Sequence, residues 1–233
     1  MNPRTLDHVA LWVADRDPIA DFVTNHLGMH VIDRTERFTL VGSDARHGKL
    51  TLFDAEGPRE RGALKHIAFR VSDLGHALGA LPDDQRVERP REGEAYFHVG
   101  QDLHLGLVEA PTEIEYDLDH AALFSADPAG TLEEYARLGF RPDGVGPAGA
   151  PRAEVGGAFV ELHPGDPGDP DRPLLNHLAV LVDSAEEHID GARQLGIEID
   201  DVVDAANTYA VFLWGPERVR VEYVEHKPTF SLT

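Results

Sequence analysis

The sequence predicts an α+β chain of four tandem βαβββ modules that pair into two domains. An apolar run with a histidine near its front recurs four times, as TLDHVALWVAD (5–15), LKHIAFRVSD (64–73), LDHAALFSAD (118–127) and LLNHLAVLVD (174–183). The four histidines, His8, His66, His120 and His177, lie 58, 54 and 57 residues apart. A near-constant period of that size marks a repeated supersecondary unit. Each run is followed by a stretch with helical spacing and then by short β-rich pieces.

In the first module RDPIADFVTNHLGM places Ile19, Phe22, Val23 and Leu27 on one helical face, with Gly28 as a stop. RFTLVG and GKLTLF follow as strands, separated by the turn-rich GSDARHG. The second module has a short helical piece, DLGHALGAL, then EAYFHVG and LHLGLVE. In the third, PAGTLEEYARLGF carries Leu132, Tyr135, Ala136 and Leu138 before Gly139, and the module closes on GAFVELHPG. In the fourth, AEEHIDGARQLGIEI carries Ile189, Ala192 and Leu195 before Gly196, and TYAVFLW and RVRVEYVE follow as strands around the turn GPE.

A sheet covered by a helix on one face must find a partner for the other. Pairing neighbouring modules satisfies this twice. It predicts a boundary near APTEIEY (110–116), with domains 1–113 (modules 1 and 2) and 114–233 (modules 3 and 4). HPGDPGDPDRP (163–173) is expected as a loop between modules, and DAEGPRERGA (54–63) as its counterpart.

The chain of 233 residues is long enough for two such domains. It has no cysteine, which excludes disulfides, thiolate catalysis and zinc–thiolate sites. A formal net charge of −21 disfavours nucleic acid and anionic membranes as partners. No apolar run approaches membrane-spanning length, and the first residues have no signal-peptide pattern, so a cytoplasmic protein is expected.

On the first strand of each module the histidine shares a face with residues two and four further on. For His120 these are Ala122 and Phe124, and for His177 they are Ala179 and Leu181, so small neighbours leave room around the ring. In the last strand Glu222 shares a face with Arg220 and Val224. A glutamate inside VRVEYV is unusual for a half-buried strand, and pairs with an arginine or ligates something. Two imidazoles and a carboxylate on facing strands suit a divalent metal with open positions: Fe(II), or Mn, Zn, Co or Ni.

With DHVALWVAD, KHIAFRVSD, DHAALFSAD, NHLAVLVDS and GPERVRVEYVEH in this order, the chain resembles the vicinal oxygen chelate superfamily over nearly its whole length. That superfamily holds glyoxalase I, bleomycin-resistance proteins and extradiol ring-cleaving dioxygenases. The resemblance implies paired βαβββ modules curved into a cup around a metal. The four-module form is most similar to the extradiol enzymes, in which the C-terminal pair holds Fe(II). It implies His120, His177 and Glu222 as ligands, with His163 or Tyr209 moving protons.

The first half offers His8 and His66, but Gly106 falls opposite Glu222, so this half is expected to have kept its fold and lost its metal. His104, two residues before Gly106, is the substitute donor there. His47 matches the place of the extradiol acid–base histidine, and His163 precedes His177 by a similar spacing. Glu161 matches the first glutamate of the glyoxalase pattern. It is expected as a fourth ligand or proton shuttle if the protein is a glyoxalase- or epimerase-like lyase or isomerase. A small-molecule-binding protein of the antibiotic-resistance type is the third reading. The preferred expectation is an Fe(II) extradiol-type dioxygenase acting on a catechol-like, vicinal-oxygen substrate. Copies of the same chain are the only macromolecular partner allowed for.

Overall fold

The computed structural model describes residues 1–146 and 149–232. The first module comprises β1 (Thr5–Val13), α1 (Asp17–His26), β2 (His30–Arg34), β3 (Phe38–Gly42) and β4 (Lys49–Asp54). The second comprises β5 (Leu64–Val71), α2 (Leu74–Gly79), β6 (Glu94–Gly100) and β7 (Leu103–Glu109). The third comprises β8 (Asp117–Ser125), α3 (Pro128–Arg137), β9 (Arg141–Val145), β10 (Pro151–Val155) and β11 (Ala158–Pro164). The fourth comprises β12 (Leu175–Leu181), α4 (Ala185–Leu195), β13 (Ile199–Asp204), β14 (Thr208–Trp214) and β15 (Arg220–His226).

The glycine stops act as expected, and the structure adds side-chain caps at the helix starts. Asp73, Asp127 and Ser184 accept backbone N–H bonds at the starts of α2, α3 and α4. Gly28, Gly139 and Gly196 follow α1, α3 and α4 with positive φ, a conformation that leaves a helix without a Cβ clash. Leu195 is the exception on the helical faces, for it is exposed. The second module lacks the strand that follows the helix in the other three. Its segment 82–93 contains Pro82 and Pro90, which cannot donate to a ladder, and meets the sheet at scattered points: the bridge Glu88↔Tyr96, Gln85 Nε2 donating to His98 O at 3.1 Å and Glu109 N–H donating to Gly93 O at 2.8 Å.

The fifteen strands form two sheets. One has the order β13-β14-β15-β12-β1-β4-β3-β2 and the other β6-β7-β5-β8-β11-β10-β9. The first and fourth modules therefore share one sheet, through antiparallel β1 and β12, and the second and third share the other, through antiparallel β5 and β8. The expected division into 1–113 and 114–233 is corrected accordingly. The short link at 110–116 joins β7 to β8 within one sheet. The two Pro/Gly-rich loops at 54–63 and 163–173 are the crossovers between sheets. They lie side by side, with Glu60 N–H donating to Arg172 O at 2.8 Å and Leu174 N–H donating to Glu60 O at 2.7 Å.

The two sheets share one core. Val9 and Leu11 of β1, Ile67 and Phe69 of β5, Leu123 of β8 and Val221 of β15 belong to a single buried cluster. Tyr223 of β15 donates its hydroxyl to Leu138 O, just past α3, at 2.7 Å. Among the described residues no helix is long and apolar enough to cross a membrane.

A fragment ending at residue 113 would strip β1 of β12 and β5 of β8, and expose both halves of the shared core. The fragment 1–113 is expected to be unfolded by circular dichroism and to lack a cooperative thermal transition. A cooperatively folded fragment would contradict the pairing.

Candidate metal centre

The four histidines owe their setting to one local device. Each first strand carries one extra residue immediately before its histidine: Asp7, Lys65, Asp119 and Asn176 each fall at a register shift. Such a bulge re-aims side chains that would alternate across a regular strand. The residue before the histidine can then reach the same imidazole. Asp7 Oδ2 lies 2.8 Å from His8 Nδ1, Asp119 Oδ2 lies 2.6 Å from His120 Nδ1, and Asn176 Oδ1 lies 3.0 Å from His177 Nδ1. These oxygens accept a hydrogen bond from Nδ1–H and so favour the tautomer whose Nε2 lone pair faces outward, the usual arrangement behind a metal-binding histidine. Lys65 has no acceptor to offer His66.

Two residues beyond each histidine stands an alanine, Ala10, Ala68, Ala122 or Ala179. Its partners on the neighbouring parallel strand are Thr51, Gly106, Glu161 and Glu222 respectively. The sheet pairing thus gives each cup two histidines and one carboxylate: His8, His177 and Glu222 in one, and His66, His120 and Glu161 in the other.

In the first cup the three donors converge. His8 Nε2 and His177 Nε2 are 3.1 Å apart, and Glu222 Oε2 lies 2.9 Å from His177 Nε2 and 3.3 Å from His8 Nε2. Ligands at right angles and about 2.1 Å from one ion lie about 3 Å apart, so the set fits one divalent ion. Glu222 and His177 are buried, and His8 is half-buried. The donors sit on a cavity of about 1010 Å³ whose walls include Trp12, Phe38, Phe53, Phe212 and Phe230. Asp7 is itself held from three sides, by His8, by Lys49 Nζ at 2.8 Å and by His226 Nε2 at 3.3 Å from Oδ1.

Without an ion the site balances its charge with a proton. Burial opposes a charged His8, but hydrogen bonds and charge from Asp7 and Glu222 win and raise it to about 9. Burial works against ionised Glu222 too, yet the charge and hydrogen bonds of His177 and His8 lower it to about 2. Burial lowers His177 despite Glu222, so it stays neutral. Asp7 is well below the usual carboxylate range because Lys49, His226 and His8 outweigh its burial.

The second cup is packed shut around its centre. His66 and His120 face each other at 2.9 Å between Nε2 atoms, but Glu161 Oε2 is 4.0 Å from His120 Nε2. Glu161 is engaged by His163 Nε2 at 3.3 Å and Arg152 Nη2 at 3.5 Å, and Lys65 Nζ donates to His163 Nδ1 at 3.0 Å. Burial opposes the Glu161 charge, while His163, His120 and Arg152 lower it to about 2. Tyr96 lies against His66, with ring centroids 4.5 Å apart. Its ring occupies the place of a side chain at position 106, since a Cβ on Gly106 would stand 2.5 Å from it.

Several expectations are corrected by this geometry. His120 is on β8, in the sheet that does not contain His177 and Glu222, and His8 of the supposedly metal-free half takes its place. Glu161 and His163 belong to the closed cup with His120, so neither reaches the open one. Tyr209 faces away from the cavity, where its hydroxyl donates to Glu186 Oε2 at 3.0 Å on α4. His47 stands in the loop before β4, against Asp44. The orienting role of Asp7 and Asn176 was legible in the dipeptides DH and NH, and its loss in KH. His226, four residues past Glu222 on the same strand face, also lines the cavity. Strand alternation is the signal that places it there.

Residues 5–102 match the family model of the Glyoxalase/Bleomycin resistance protein/Dioxygenase superfamily. No curated protein matches the chain in sequence. Among solved structures the chain is similar to a "putative dioxygenase" from Bacillus subtilis, with 17% identity, TM-score 0.80, and 98% of this chain and 87% of that one covered. It is similar to glyoxalase I from Zea mays, with 15% identity, TM-score 0.75, and 95% and 92% covered. The cppA protein from Streptococcus pneumoniae follows with 14% identity, TM-score 0.63, and 96% and 99% covered. At these identities the likeness is one of fold.

Two outcomes follow for metal binding. His177→Ala and Glu222→Ala are expected to lose an ion that His120→Ala and Glu161→Ala retain, by elemental analysis of the purified variants. Retention in the first pair with loss in the second would move the site to the other cup. An ion must also displace the His8 proton. Apparent Co(II) affinity at the cavity should therefore rise by up to about tenfold per pH unit below about pH 9, and level off above it. Titration by visible absorption reads this slope, and a flat profile would show that no proton is displaced.

Proposed function

We propose that this chain, which has the fold of the glyoxalase/bleomycin resistance/dioxygenase superfamily and its sequence pattern over residues 5–102, is a metal-dependent extradiol-type dioxygenase of a catechol-like ring. The observation that carries this reading is the donor count. His8, His177 and Glu222 converge, and the fourth register position holds Thr51, which offers no carboxylate. Two histidines and one carboxylate with open positions are the donor set of non-haem Fe(II) oxygenases. When bound, Fe(II) there supplies open coordination positions and the redox chemistry of ring opening by O2.

The chain's own residues do the rest. Asp7 and Asn176 hold the two imidazoles in the tautomer that presents Nε2. Trp12, Phe38, Phe53 and Phe212 wall the cavity with flat apolar surface, which suits a planar aromatic ring and keeps water from it. His226 moves the proton. Its Nε2 faces Asp7 Oδ1, and its Nδ1 is buried without a partner, free to accept a proton from a substrate hydroxyl. Phe230 stacks on the imidazole at 4.1 Å and fixes its plane. His226 thus takes the role expected of His163 or Tyr209. The lyase reading calls for a second carboxylate, and the expected candidate, Glu161, is bound to Arg152 and His163 in the other cup.

Oxygen uptake by the Fe(II)-loaded protein over a panel of catechols tests the reading. Catechol-dependent consumption is expected, with His226→Gln lowering kcat by about 10²-fold or more at unchanged iron content. Metal-dependent isomerisation of an α-hydroxy carbonyl compound, without oxygen uptake on any catechol, would replace the dioxygenase reading by the lyase one.

A further inference from the structure

We propose that Glu88, His98 and His104 form a second divalent transition-metal site, remote from the cavity and built where the second module has lost a strand. His98 and His104 face each other across the β6–β7 ladder. The hairpin joining them turns on Gln101 and Asp102, both at positive φ, which closes the ladder tightly and fixes the pair. Their rings are stacked with centroids 3.7 Å apart and planes 21° from parallel. Glu88 comes from the segment that replaces the missing strand. It is pinned beside β6 by two backbone hydrogen bonds with Tyr96, each 2.8 Å.

One donor atom from each of the three side chains lies within 4.8 Å of the other two. His104 Nε2 is buried without a hydrogen-bond partner, while Glu88 and His98 are exposed, so the cluster is open to solvent and short of one polar contact. Two imidazoles and a carboxylate accept a divalent transition-metal ion, Zn(II), Ni(II) and Cu(II) among them. An ion there would add a side-chain tie between segment 82–93 and the β6–β7 edge, beside the Glu88↔Tyr96 bridge and the bonds from Gln85 Nε2 to His98 O and from Glu109 N–H to Gly93 O. None of these residues contributes to the cavity, so the site stands independently of the proposed reaction.

Equilibrium dialysis of the untagged full-length protein against micromolar Zn(II), followed by elemental analysis, tests the site. Two ions per chain are expected for the wild type, one for His104→Ala and one for His177→Ala. His98→Gln and Glu88→Gln, at exposed positions, should also lose one ion or bind it at least tenfold more weakly, and they serve if His104→Ala misfolds. One wild-type ion, lost in His177→Ala and kept in the other variants, would overturn the second site. One wild-type ion, lost in His104→Ala and kept in His177→Ala, would support it and overturn the cavity site instead.

Discussion

The antiparallel pairing of β1 with β12 is the contact on which the rest of the molecule depends. It joins modules that lie at opposite ends of the chain. Each of the two strands gives up one residue of regular register, Asp7 on one and Asn176 on the other. Those two irregularities turn His8 and His177 toward each other and supply each with its Nδ1 acceptor. The β4 and β15 neighbours then place Thr51 and Glu222 on the same floor. A regular pairing would send residue and histidine to opposite faces, and the imidazoles would lose the groups that orient them.

The two cups start from the same plan and end differently because of the charges around their carboxylates. Glu222 has two imidazoles within hydrogen-bond reach and no arginine on it, so its buried charge is balanced by the His8 proton or by a metal cation. Glu161 has Arg152, His163 and, through His163, Lys65. That carboxylate is already neutralised by resident side chains, and Tyr96 fills the remaining space. One cup is left open for a ligand, and the other contributes a packed wall to the fold.

Much of this was legible in the sequence. The histidine period defined the modules, the glycines after the helices marked their ends, and alternation along VRVEYV put Glu222 on the floor of the cup. Gly106 was rightly matched to the place of Glu222. The pairing of modules was not legible, because the apolar faces of all four first strands are interchangeable by pattern. Connection length did not decide it either, since the links between β4 and β5, β7 and β8, and β11 and β12 differ by only a few residues and each can span the gap between packed sheets. Choosing APTEIEY as the boundary carried His120 into the ligand set and left His8 out. Tyr209 failed for a simpler reason, since a one-residue offset on β14 puts a side chain on the helix face.

One ion is expected to bridge the two ends of the chain. Anomalous diffraction from crystals of the metal-loaded protein locates that ion directly. The expected result is a peak bonded to His8 Nε2, His177 Nε2 and a Glu222 carboxylate oxygen. A peak beside His66, His120 and Glu161, with none at Glu222, would contradict it.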